Sequence, residues 1–138
     1  MTNNLLNLNK AGEVADFSWL VNLENIFKKK FKLKKQISIA LVSDQQIKEL
    51  NRVYRKKNKI TDVLSFNMDS AYVLGEVLIC PSQARRQAKE KSHTYKAELQ
   101  LLTIHGILHL LGYDHEKSIT EEKKQQNAEQ KILAQLNK

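Results

Sequence analysis

Three of the chain's four histidines fall within eleven residues, in the run His105-Gly-Ile-Leu-His109-Leu-Leu-Gly112-Tyr-Asp-His115. His105 and His109 are one helical turn apart, so their imidazoles share a face. Gly112 comes three residues later, and glycine is the residue best suited to stop a helix in a left-handed cap. The chain can then fold back and bring His115 to the same point. A lone histidine on an apolar helix is usually a core residue with satisfied nitrogens. Two imidazoles in an apolar stretch are costly unless their polar atoms find partners, and three at H-x-x-x-H-x-x-G-x-x-H spacing point to a metal. Neutral imidazoles at these positions suit one zinc ion per chain and leave a fourth corner for water.

Such a site lowers the pKa of bound water to about 7 and acts as a Lewis acid on a carbonyl or phosphoryl oxygen. Peptide and phosphodiester hydrolysis are therefore both open. The spacing matches the zinc-peptidase pattern H-E-x-x-H-x-x-G-x-x-H at every fixed position but one. The exception is Gly106, which stands where that class carries its general-base glutamate. The only methionines, Met1 and Met68, leave no downstream methionine turn. A structural zinc needs a fourth protein ligand, from Asp114, Cys80, His93 or a distant acid, and the sequence places none there. His93, between Ser92 and Thr94, reads as a helix-entry or loop residue and is not assigned to the metal.

Charge tips the choice toward a polyanion. The formal net charge is +8. Residues 1–27 balance to −2 and residues 61–138 to zero, while residues 28–60 hold twelve Lys or Arg against two acids. The excess sits in Lys28-Lys-Lys-Phe-Lys-Leu-Lys-Lys35 and Arg52-Val-Tyr-Arg-Lys-Lys-Asn-Lys59. A basic block is often only a solubilising face, but beside a hydrolytic metal site it favours nucleic acid. A guanidinium at Arg55 suits a two-pronged grip on a phosphate, although any single arginine in such a segment is more simply read as a solvated surface residue. Lys28, Lys29, Lys30, Lys56 and Lys57 are candidates for tracking the backbone. Asp62 and Ser65 have simpler readings, as a turn cap and a satisfier of backbone groups.

The elements that must position these residues are readable in outline. Leu5 to Leu8 is a short strand. Leu20, Leu23, Phe27 and Phe31 mark an amphipathic helix over Phe17–Phe31. Gln36 to Val42 alternates as a strand. Ser43 and Gln46 form a capping box for a helix carrying Ile47, Leu50 and Tyr54 on one face. Thr61 to Phe66 is a loop entering a strand, and Tyr72 to Cys80 is another strand. Gly75 within it marks a bulge or a close backbone approach. Pro81 opens a helix over Ser82–Lys91. A long apolar helix runs from Tyr95 to Leu111, and Ser118 with Glu121 caps a last helix whose Ile132, Leu133 and Leu136 pack inward. Strands come early and helices late, which predicts an α+β fold: a small mixed sheet packed with several helices, and the metal site at the end of a buried helix.

The chain's 138 residues suit one domain, residues 1–138. The single cysteine, Cys80, allows no internal disulfide and suits a reducing cytoplasm. It reads as a buried strand-end thiol. Met1-Thr-Asn-Asn carries no secretory signal pattern, and the apolar stretch Leu99–Leu111 is too short to span a bilayer. A cytoplasmic protein without a membrane role is expected.

His105-Gly-Ile-Leu-His-Leu-Leu-Gly-Tyr-Asp-His115, with Tyr54-Arg55 and Thr61-Asp-Val-Leu-Ser-Phe66, resembles the bacterial YbeY family. The resemblance runs from the Gln36 strand to the final helix, and the first 35 residues match only in general character. It implies a single-domain, metal-dependent endoribonuclease linked to ribosomal RNA maturation and ribosome quality control. It also implies a small mixed sheet with a layer of helices and a metal in a cleft. The family's zinc ligands fall on His105, His109 and His115, and its functionally important arginine on Arg55. Ile60, Asn67, Glu76 and Gln125 depart from the usual pattern, and none is a proposed ligand.

The reading is thus a zinc-dependent, single-strand-preferring endoribonuclease acting on ribosomal RNA or ribosomal particles. A zinc metallopeptidase-like hydrolase and a non-catalytic ribosome-assembly factor with structural zinc are the rivals. Five phosphate contacts to single-stranded RNA imply a log–log salt slope of roughly −3.5. Ligands that must be neutral imply metal affinity falling below about pH 6.

Overall fold

A computed structural model describes residues 4–138. The reading of the amino terminus as free of a leader falls largely on residues 1–3, outside the described residues. Four strands, β1 (Leu6–Asn9), β2 (Gln36–Leu41), β3 (Val63–Asn67) and β4 (Val73–Ile79), form one sheet in the order β1-β2-β4-β3. β1 runs parallel to β2, and β2 parallel to β4. β3 runs antiparallel to β4. The sheet is mixed and the α+β expectation holds.

Five helices cover it: α1 (Leu20–Phe31), α2 (Asp44–Arg55), α3 (Pro81–Glu90), α4 (Tyr95–Leu110) and α5 (Ile119–Leu136). Strand alternation divides the core between the two faces. Ile37, Ile39, Leu41, Val63, Val77 and Ile79 join the large cluster that includes Leu23 and Phe27 of α1, Ile104 and Leu108 of α4, and Ile132 of α5. Leu64, Leu78 and Cys80 turn to the other face and meet Ile47 of α2. Each fully buried aliphatic or aromatic side chain contributes about 1.5–3 kcal/mol, so the larger cluster dominates the fold's stability.

Two expectations are corrected by the fold. The first helix begins at Leu20 rather than Phe17, because Phe17 and Trp19 are spent on a preceding turn that packs them together with ring centroids 5.2 Å apart. Tyr54 does not join Ile47 in the core: its side chain is 64% exposed and its ring rests on Phe66 at 5.1 Å. The Ser43–Gln46 capping box is complete. At Ser118 only the hydroxyl half forms, accepting from the Glu121 N–H.

Gly75 answers to both of its predicted readings. The pairing of β2 with β4 skips a residue there, Gln36 facing Val73 and Ile37 facing Gly75. A Cβ at Gly75 would also lie 2.3 Å from the Phe66 carbonyl oxygen and 2.7 Å from Leu110 Cδ2. At the far edge, Glu24 of α1 accepts from the N–H groups of Leu5 at 2.6 Å and Leu6 at 2.7 Å. It thereby satisfies two backbone N–H groups at the start of the edge strand.

Candidate metal centre and cleft

The three histidines are positioned by the end of α4. Leu111 closes that helix and Gly112 follows at φ +108°. The Gly112 N–H donates to the His109 carbonyl at 3.1 Å, and the Tyr113 N–H to the Leu108 carbonyl at 3.1 Å. This pair of bonds is the Schellman stop, which satisfies carbonyls the helix would otherwise leave bare. A Cβ on Gly112 would meet nothing within 4 Å, so the glycine is there for its backbone angle alone. Asn67, at the end of β3, donates from Nδ2 to the Leu110 carbonyl at 2.9 Å. The same helix end is thus tied to the sheet.

Gly106 has the opposite reason. A Cβ there would fall 2.5 Å from Val77 Cγ1 and 3.1 Å from Ser65 Oγ. The Ser65 hydroxyl donates to the Gly106 carbonyl at 3.0 Å, the backbone-satisfying role its type suggested. α4 lies directly on β3 and β4 at this point. The position that carries a base in zinc peptidases faces the sheet, with no room for a side chain.

His105, His109 and His115 line one cleft of about 590 Å³ together with Tyr54, Arg55, Asp62, Phe66, Asp114 and Glu116. The His105 and His115 rings lie 4.9 Å apart. His105 Nδ1 is 3.0 Å from Oε2 of Glu129, a buried carboxylate on α5. Donation from Nδ1–H to that carboxylate leaves Nε2 with the lone pair, the tautomer a ligand needs. Gln125, also buried, sits 3.1 Å from the same nitrogen and donates to the His105 carbonyl at 3.4 Å. Burial holds the His109 imidazole below the usual histidine range. Asp114 works against that shift, His105 and His115 reinforce it, and Glu116 opposes it. His115 Nδ1 is buried without a hydrogen-bond partner. Among the described residues, no three His, Cys, Asp or Glu side chains converge closely enough to hold an ion as they stand. The neutral His109, the oriented His105 and the unpartnered nitrogen of His115 are the features that suit a metal.

The other candidates for a fourth ligand are elsewhere or engaged. Cys80 is buried on the α2 side, its Sγ 3.0 Å from Asp44 Oδ1. Burial, reinforced by Asp44, pushes its thiol up to about 11. His93 Nε2 lies 2.7 Å from Glu98. Asp114 lines the cleft, but its Oδ1 accepts from the Glu116 N–H at 3.0 Å and shapes the loop.

Arg55, the last residue of α2, reaches across the cleft and pairs with Glu116. No spacing in the sequence signalled that Glu116 would pair with Arg55, Glu129 with His105 or Tyr54 with Phe66: each pairing is made by tertiary contact. Asp62 accepts from the Val63 N–H at 2.8 Å and from Gln87 Nε2 at 3.1 Å, so it organises the cleft wall. Among the lysines, Lys56 and Lys57 follow Arg55 on the surface without lining the cleft. Lys28 pairs with Glu24 at 3.0 Å. Lys29 is exposed on α1, and Lys30 lines a separate cavity.

The family model described as "Endoribonuclease YbeY" matches residues 5–137. The chain belongs to the YbeY endoribonuclease family. An Aquifex aeolicus protein named endoribonuclease YbeY is 48% identical over 107 residues, covering 75% of this chain and 71% of its own length. The Staphylococcus carnosus protein of that name is 38% identical over 138 residues, covering 89% and 88%. A solution structure of a Thermotoga maritima protein superposes with a TM-score of 0.65 at 33% identity, over 95% of this chain and 88% of that one. YbeY membership places the chain among nucleases of the hydrolase class. No helix among the described residues is long and apolar enough to cross a membrane.

Proposed function

We propose that this chain is a zinc-dependent, single-strand-preferring endoribonuclease of the cytoplasm. In this reading it forms one domain over residues 1–138 and acts on ribosomal RNA in small-subunit rRNA maturation and ribosome quality control. The observation that carries the reading is the shared cleft, where Arg55 from α2 faces the three histidines of the α4 end. His105, His109 and His115 would hold the zinc, which when bound would supply Lewis-acid chemistry at a phosphoryl oxygen or water.

The chain's own groups do the rest. The Arg55 guanidinium binds the scissile phosphate and displaces Glu116, which now occupies it. The released Glu116 carboxylate lies beside His115 and accepts the proton of the attacking water or 2′-hydroxyl at an Oε atom as the new O–P bond forms, then returns it to the ribose oxygen that leaves as its P–O bond breaks. The Tyr54 ring, largely exposed, offers a stacking face for an unpaired base. Lys56 and Lys57 continue the basic surface from the rim of the cleft. The peptidase rival loses ground because Gly106 has no room for a base.

Metal analysis paired with cleavage of single-stranded ribosomal RNA tests this for wild type and His109→Ala. Wild type should copurify with about one zinc, and the variant should lose both metal and cleavage. Equal cleavage by the two proteins refutes the reading.

A further inference from the structure

A second cavity, of about 340 Å³, lies between the C-terminal end of α1 and one flank of α5. Its size falls at the lower end of ligand pockets, roughly 300–1,000 Å³. Lys30 and Phe31 come from α1, Tyr113 from the loop after α4, and Lys124 and Lys131 from α5. Phe31 and Tyr113 meet edge to face at 6.4 Å and are each only partly buried. Lys124 is paired with Glu121 at 3.3 Å. Lys30 and Lys131 have no ion-pair partner among the described residues, and no carboxylate lines the cavity.

Aromatic faces interleaved with uncompensated lysines are the chemistry of a single-stranded nucleic-acid subsite: rings take a base of any type, and ammonium groups take the backbone phosphate. Position supplies the second argument. Tyr113 lines this cavity, while the next three residues, Asp114, His115 and Glu116, line the catalytic cleft. One short loop separates the two. A strand leaving the cleft across that loop arrives at the lysines of α1 and α5.

We infer that this cavity is a second nucleotide subsite, receiving an unpaired nucleotide that flanks the one held in the cleft. Its base packs on Phe31 and Tyr113, and its phosphate lies between Lys30 and Lys131. The inference rests on the RNA reading of the cleft. It assigns Lys131 and Tyr113, which no spacing in the sequence marks as functional, to substrate binding.

The test measures the affinity of the full chain for single-stranded oligoribonucleotides of graded length, each over a series of salt concentrations. Wild type should show a step in affinity, on the order of tenfold for one stacked base, once the strand is long enough to cross the loop. The log–log salt slope should steepen by about 0.7 per added phosphate contact at the same length. In Lys131→Glu, an exposed position on α5, both steps should disappear. A photoreactive uridine placed at the flanking position should crosslink to the peptide containing Tyr113. A wild-type protein that binds single-stranded RNA without a length step, or a step that survives in Lys131→Glu, overturns the subsite alone. Absence of single-stranded RNA binding at every length overturns the subsite and the RNA reading of the cleft together.

Discussion

At the scale of single residues, the cleft turns on two carboxylates that come from outside the histidine run. Glu129 orients His105, and outer partners of this kind typically account for 10–100-fold in metal affinity. Glu129→Gln should therefore weaken zinc binding by about that factor, measured by competition with a chelator. An unchanged affinity would show that the contact does not set the ligand tautomer. Glu116 has a different part. It neutralises Arg55 at rest, and in the proposed reaction it takes the proton once phosphate has displaced it. Glu116→Gln should lower kcat by about 100-fold or more while KM for RNA stays level or falls, since the guanidinium no longer has a charged competitor. A raised KM with normal kcat would instead make Glu116 a binding residue.

At the scale of elements, the end of α4 is the decisive joint. The helix is buried over most of its surface, so it cannot shift on the sheet to correct an error at its terminus. The stop at Gly112 alone turns the chain back to deliver His115. An L-residue held at positive φ costs roughly 1–2 kcal/mol, and φ +108° is less accessible than the usual left-handed well. Gly112→Ala should lower stability by about that amount in urea titration and should reduce metal affinity as well. Full stability with intact metal binding would mean that the loop closes without the glycine. Asn67 shares this duty from β3. A proline at that position would have no amide to donate to Leu110, so this chain fastens the helix end by a hydrogen bond.

At the scale of the whole molecule, the edge of the sheet is held partly by charge. Burial pushes the Glu24 carboxyl up, but the Leu6 N–H, Lys28 and the Leu5 N–H together hold it below the usual carboxylate range. A carboxyl depressed in the folded state stabilises the fold above its unfolded pKa, and that contribution is lost as pH falls through the folded value. Denaturation midpoints should therefore decline on acidification. The Glu24→Gln variant should be less stable at neutral pH, with a flatter acid limb. Parallel curves for the two proteins would remove Glu24 from the acid response. The basic excess is distributed on the same scale. The segment 28–60 supplies α1's end and α2's end, and the fold sends these to two cavities: Lys30 to one and Arg55 to the other.

Periodicity and capping residues were enough to place most elements, because local hydrogen bonding and amphipathic burial act over a few residues: Ser43 with Gln46, Pro81 and Gly112 do in the fold what their types suggest. The α+β class and the histidine cluster were legible for the same reason, since four- and six-residue spacings fall within one helix and its stop. Strand order was not, because β2 pairs with β4 across an intervening helix and hairpin, and no local preference encodes that choice. Nor was the reason for Gly106: its absent side chain looked like a missing base, and only the packing of α4 on Val77 shows that no side chain fits. Glu116 to Arg55 spans 61 positions and Glu129 to His105 spans 24. Contacts at such separations exist only once the hydrophobic core has brought the helices together, so the partners that tune the cleft were decided by tertiary structure alone.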